Sequence, residues 1–301
     1  MSATTAEEIL RPIGRRRPMF SSLRRFFAYK PCAVAFFVIL VLAALALLAG
    51  ALPLRDPAAF SSEPLMPPSA AHLFGTDNLG REITSRIIWG IRSALLVALV
   101  SAGISVFLGV ALGSIAGYFG GWVDDLLSRL FDVFLLIPAF FLLILVVALF
   151  GASLLLVMVV IGLTTWPGTA RIMRSQVLSY RSRVFVEAAR AAGAGPGYLL
   201  VQHIIPNGIG PVITHGTVLM GQAILAEAGL SYLGLSDPSA VSWGRMVFEG
   251  QTYLGLAPWM SLIPGLFMLL TVLALNIAGD GLTYALQSQA RARHATGGTH
   301  A

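Results

Sequence analysis

Oily stretches alternate with short polar ones along most of this chain. Continuous apolar runs occupy about 32–52, 94–118, 133–150, 154–166, 209–228 and 258–277. Each approaches the roughly 20 residues that a spanning helix needs, the fourth being short. The pattern predicts an all-α membrane protein with six spans. The fourth and fifth runs flank a polar, Ala-rich island over about 171–207. Within it, 183–192 are mostly good helix formers, and Phe185 and Ala189 fall on one face at helical spacing. Gly193 supplies a stop, because glycine alone enters the left-handed region without steric cost. Gly195-Pro196 reads as a restart, Pro206 as the end of a second short helix, and Asn207 as a cap for the next span. Residues 53–92 and 230–257, rich in Gly, Pro and Ser, read as short external caps built of turns rather than as folded domains.

Charge orients this pattern. Arg11, Arg15, Arg16, Arg17, Arg24, Arg25 and Lys30 precede the first run, opposed only by Glu7 and Glu8. The positive-inside rule therefore predicts a cytoplasmic amino terminus. Six spans then put the 171–207 island, with Arg171, Arg174, Arg181, Arg183 and Arg190, on the same side, and the carboxy-terminal tail too. A first apolar run of about twenty residues exceeds the 7–15 of a secretory leader, so an uncleaved first span is expected. With 56% hydrophobic and 11% charged residues, the chain reads as multi-span, not as a soluble enzyme. The net charge of +6 follows from arginines beside spans, so no nucleic-acid partner is expected.

Chemistry is sparse. Lys30 is the sole lysine and no Gly-rich loop precedes it, so the chain lacks the P-loop that would hold ATP. One cysteine, Cys32, leaves neither a disulfide nor a cysteine metal cluster, and the five histidines show no ligand spacing, so no metal is expected. Ser105, Ser114 and Ser153 lie near glycines, as packing residues do where membrane helices approach closely. Glu227, Gln222 and Asn276 are polar groups in apolar surroundings. They are candidates for lining a pathway or gating it, with interhelical hydrogen bonding the simpler use. An ion-coupled secondary transporter or channel is the rival class, and it would need paired intramembrane carboxylates or repeated halves.

The island Glu187-Ala188-Ala189, Gly193 and His203-Ile204-Ile205-Pro206-Asn207 resembles the EAA loop of ATP-binding-cassette importer permeases. It departs from the general pattern at His203, usual in the peptide branch, and at Ile205. Residues 72–92 are similar to the amino-terminal signature of the second permease subunit of dipeptide, oligopeptide, nickel and glutathione importers. Ser242-Trp243-Gly244, Ala257-Pro258-Trp259 and Asn276–Leu282 resemble the same branch. The likeness covers about 72–285.

That resemblance implies a type I importer transmembrane domain in a bacterial inner membrane. It implies a homologous permease partner, two cytoplasmic ATPase subunits that bind the ATP, an external substrate-binding protein, and no cofactor in this chain. Di- or oligopeptides are the implied cargo, with a nickel complex or glutathione as alternatives. Glu187, Ala188, Ala189 and Gly193 would position the loop, with His203 and Pro206 in its second half. The short helix 196–203 would sit in an ATPase groove. The expected organisation is a basic tail over 1–31, a first span with external segment over 32–92, a transmembrane domain over 93–282 containing the 171–207 loop, and a tail over 283–301.

Overall fold

The computed structural model describes residues 30–235 and 237–297, with side chains as far as Thr283. The basic tail and its arginines lie outside the described residues. The elements are helices α1 (Lys30–Leu48), α2 (Ile83–Phe119), α3 (Gly121–Leu136), α4 (Ala139–Phe150), α5 (Leu154–Arg181), α6 (Val184–Ala191), α7 (Pro196–Gly208), α8 (Gly210–Tyr232), α9 (Trp243–Gln251) and α10 (Trp259–Gly297). No strand is present among the described residues. Four helices are long and apolar enough to cross a bilayer, and six spans result when α3 with α4, and α7 with α8, each count as one bent unit.

Several helix ends differ from the sequence reading. α2 begins at Ile83 rather than 94, so the boundary drawn at 92/93 falls inside it. Hydropathy misses its first turns because Ser85 and Arg86 are polar, yet both are buried there. The third apolar run belongs to two helices bent by 74°. Ile137 is extended (φ −79, ψ 121), as expected for the residue before Pro138. α5 continues past Trp166 to Arg181, so the first third of the predicted loop is helix.

The centre is the α2–α5 pair, packed with almost no side chain between the backbones. A Cβ added at Gly109 would lie 2.5 Å from Thr169, one at Gly113 2.3 Å from the Ala170 carbonyl, and one at Gly117 2.8 Å from the Arg174 carbonyl. Spaced four apart, these glycines form one stripe of α2, the small-residue solution to close approach where lipid gives no hydrophobic drive. Ser105 and Thr169 hydroxyls meet at 3.2 Å, and Ser101 Oγ donates to the Met158 carbonyl. The Phe131 and Phe134 rings of α3 pack edge-on against Trp166 of α5. α8 lies against α2, α5 and α10, while α1 rests on α10 and α2.

The two segments read as simple caps are instead folded together. α9 is wedged against α8, α10 and the start of α2. Trp243 sits over Gly90 and donates from Nε1 to the Ile87 carbonyl at 3.2 Å, and Trp259 Nε1 donates to the Thr76 carbonyl at 3.2 Å. Gly244 touches the backbone of α8: a Cβ there would be 2.1 Å from the Ala228 carbonyl.

Candidate functional site

The helix–turn–helix expected in the island is present as α6 and α7. α6 ends in a Schellman arrangement: Ala194 N donates to the Ala189 carbonyl (3.1 Å) and Gly193 N to the Arg190 carbonyl (3.0 Å). Gly193 has φ +90 and open space around it, so the backbone conformation, not packing, demands glycine. Pro196 opens α7 from the Gly195 N-cap. Pro206 does not end α7. The six residues Leu199–Ile204 form a π-helical turn, Ile205 N donates to the Leu200 carbonyl five residues back, and helical structure runs on to Gly208. A widened turn ahead of Pro206 relieves the clash its ring would make with an α-helical carbonyl. Asn207 is not the cap of α8. Its Nδ2 donates to the His203 carbonyl at 2.6 Å, and Ile209 stands at the N-cap without a side-chain bond.

The unit is anchored from one side. Val186 of α6 and Leu199 and Ile204 of α7 are fully buried, packed with Met173 and Val177 of α5 and Val212 of α8. Each such burial is worth roughly 1.5–3 kcal/mol. The inward face of α6 is therefore Val186 and the half-buried Ala189; Phe185, expected beside Ala189, is largely exposed. Glu187, Ala188, Gly193 and Pro206 are exposed, and His203 is half-buried with its ring 5.5 Å from Tyr198 and 6.4 Å from Phe185. Ala189, Gly193 and His203 come together with Ala192, Ala194 and Tyr198 around a shallow depression. Glu187 sits in the first turn of α6, where a negative charge suits the helix dipole, and makes no ion pair among the described residues.

Arginines of α5 tie this end to α3 and α2. Arg174 grips Asp124 through Nε and Nη2 at 2.5 and 2.6 Å, Arg171 pairs with Asp132, and Arg181 Nη1 donates to the Gly117 carbonyl.

The three pathway candidates do not converge. Gln222 is exposed. Asn276 is half-buried beside Gly221, where α8 and α10 approach. Glu227 is buried; Ser231 Oγ donates to its Oε1 at 2.6 Å, and Ser242 at the N-cap of α9 also bonds it. Glu227 thus ties α8 to α9.

Sequence reasoning missed the densest polar cluster. Asp77, 1% exposed, accepts from the Leu79 and Arg81 backbone through Oδ1, and through Oδ2 from Arg81 Nε and Arg86 Nη1, both at 2.6 Å. Glu249 of α9 takes Arg81 and Arg86 at 2.8 Å each, and Arg245 at 3.1 Å. Nearby, His72 is held between Glu82 (2.5 Å) and Glu63 (3.1 Å). The turn Asp77-Asn78-Leu79-Gly80-Arg81 is a local signal for the Asp77 cap, but Glu249 lies 168 residues from Arg81. Asp237 was missed likewise: its Oδ2 accepts from Leu154 N at 2.9 Å and caps α5 from outside. Burial pushes its carboxyl up, but bonds from Ser239 and Leu154 outweigh that and hold it below the ordinary value.

Ten described helices, bent spans and an anchored surface helix pair define a multi-span membrane domain. Residues 109–292 match the family described as binding-protein-dependent transport system inner membrane component. The dipeptide transport system permease protein DppC of Alkalihalophilus pseudofirmus is 41% identical, over 75% of this chain and 74% of its own. The oligopeptide permease protein OppC of Escherichia coli K12 is 36% identical over 91% and 93%, and the glutathione permease protein GsiD of Pectobacterium atrosepticum 37% over 73% of each. Among solved structures, an inward-facing MetNI methionine ABC transporter superposes with TM-score 0.56 at 18% identity, covering 67% of this chain and 96% of that one. The chain belongs to the family of binding-protein-dependent transport system inner membrane components. It is a bacterial multi-pass permease subunit with the fold of an ABC importer transmembrane domain, served by ATPase and substrate-binding subunits.

Proposed function

We propose that this chain forms half of the translocation pathway of an importer for short peptides, beside a homologous permease, and that α6–α7 is where one of two ATPase subunits docks. The observation that supports docking is the division of labour in α6–α7. Val186, Leu199 and Ile204 are fully buried against α5 and α8, while Glu187, Ala188 and Gly193 face outward. A load on the exposed face therefore reaches two spanning helices through a packed core rather than through a hinge. The α6–α7 end is cytoplasmic on this reading, as the amino-terminal and 171–190 arginines favour; the α9 end faces the binding protein.

ATP is held by the partner subunits. Their closure around ATP draws the paired loops together, and because ATP binds one arrangement better, the permease equilibrium shifts with it. Peptide cargo is supported by the relatives named for dipeptide, oligopeptide and glutathione transport. In proteoliposomes carrying the whole complex, Ala188→Glu is expected to abolish uptake of labelled dipeptide while ATP hydrolysis persists and the complex unfolds at its usual temperature. Undiminished uptake would remove α6 from the coupling path.

A further inference from the structure

A cavity of about 760 Å³ lies between the end of α1, the first turns of α2 and the residues leading into α9. Its charged lining is one-sided: Arg55, Arg81, Arg86, Arg92 and Arg245 against Asp56. Arg81 and Arg86, the latter 5% exposed, are held by Asp77 and Glu249, and Arg55 by Glu82 at 3.3 Å. Arg245 has Glu249 as its one carboxylate partner among the described residues, engaged through Nε. Arg92 has none; its guanidinium stands over the Trp89 ring at 5.7 Å. Arg92 and the terminal nitrogens of Arg245 therefore have donors to spare.

The cavity's height in the fold says what reaches it. α1 ends at Leu48, and the long apolar run of α2 starts at Ala94, so both helices leave the hydrocarbon beside it. Trp89 and Arg92 are interfacial residue types. Leu52, Leu54 and Leu96 also line it, and Leu47, Leu48 and Leu96 are exposed at 84%, 53% and 43% on the flanking helices. An oily approach thus opens onto a floor of arginines, whose planar forks match phosphate oxygens.

We infer that this cavity holds the phosphate of an anionic phospholipid at the bilayer interface, with Arg92 and Arg245 donating to it and the acyl chains running over Leu96. A zwitterionic lipid offers the same phosphate but brings its own ammonium beside the unpaired Arg92.

The test uses the whole complex, purified in mild detergent and titrated with phosphatidylglycerol, phosphatidylethanolamine, inorganic phosphate or a dipeptide with a free carboxylate. Binding is read by native mass spectrometry and by the unfolding temperature. Phosphatidylglycerol is expected to bind and raise the unfolding temperature, and the other three to do neither. Arg92→Gln, which breaks no ion pair, is expected to weaken phosphatidylglycerol about fivefold, the effect of one basic residue at an anionic surface, and Arg92→Lys to restore most of it. Equal phosphatidylglycerol affinity in wild type and Arg92→Gln overturns the site. An Arg92-dependent shift with inorganic phosphate makes it a free-anion site, and one with the dipeptide a substrate subsite; either overturns the lipid assignment.

Discussion

The two ends of this molecule use polar residues in opposite ways. At the α9 end, Asp77, Arg81, Arg86 and Glu249 are turned inward and bonded to one another, stitching residues far apart in sequence into one block. At the α6–α7 end, Glu187 is exposed and without an ion pair among the described residues, and the surface around Ala188 and Gly193 is small and open. Buried charges carry a desolvation cost that only dense pairing offsets, so such a cluster marks a part that keeps its shape. An alanine-rich surface over apolar anchors has little to hold it to itself and much to offer a partner.

The sharpest contrast comes from removing one carboxylate at each end. Glu249→Gln leaves Arg81 and Arg86 short of a partner and is expected to cost about 3–5 kcal/mol, read as a large fall in unfolding temperature and yield. Glu187→Gln is expected to stay within about 0.5 kcal/mol. Equal losses would erase the comparison. Glycines sharpen it further. Gly113→Ala drives a methyl into the Ala170 carbonyl and is expected to lower stability by about 1–3 kcal/mol. Gly193→Pro meets no neighbour but cannot adopt φ +90 and removes the Gly193–Arg190 bond. Its predicted signature is ATP hydrolysis without uptake in a complex that still assembles.

A further, modest effect concerns Asp237. Because its carboxyl is held below the ordinary value of about 3.9, its ionised form stabilises the fold above that pH and the contribution is lost as pH falls through the lowered value. Asp237→Asn is expected to flatten that acid limb in thermal unfolding and to cost about 1 kcal/mol at neutral pH, as for loss of a helix cap.

Local chemistry was legible and long-range chemistry was not. Gly193 announced its left-handed turn and Gly195-Pro196 the restart, because both depend on a few adjacent residues. The end of α7 was misread at Pro206, since a π-helical turn lets a helix pass a proline without leaving a sequence signature. Span ends were recovered to within a few residues for α1 and α8. They were misplaced at the start of α2, where Arg86 counts as polar in any window yet is buried by Asp77 and by Glu249 of α9. Arg81 and Glu249 lie 168 residues apart, and only the fold brings them together. Serines near glycines were readable as packing residues, but neither the Gly109–Gly113–Gly117 stripe nor its partner helix was.

The central claim, that the exposed face of α6 meets an ATPase, is tested most directly by cross-linking from Ala188→Cys in membranes containing the intact complex. The native thiol, Cys32, is buried, so a bifunctional reagent reports the introduced one. The predicted result is a cross-link to an ATPase subunit whose yield changes when ATP is added. A chain that stays free of any ATPase under those conditions, while Ser239→Cys at the opposite end captures one, would contradict the account.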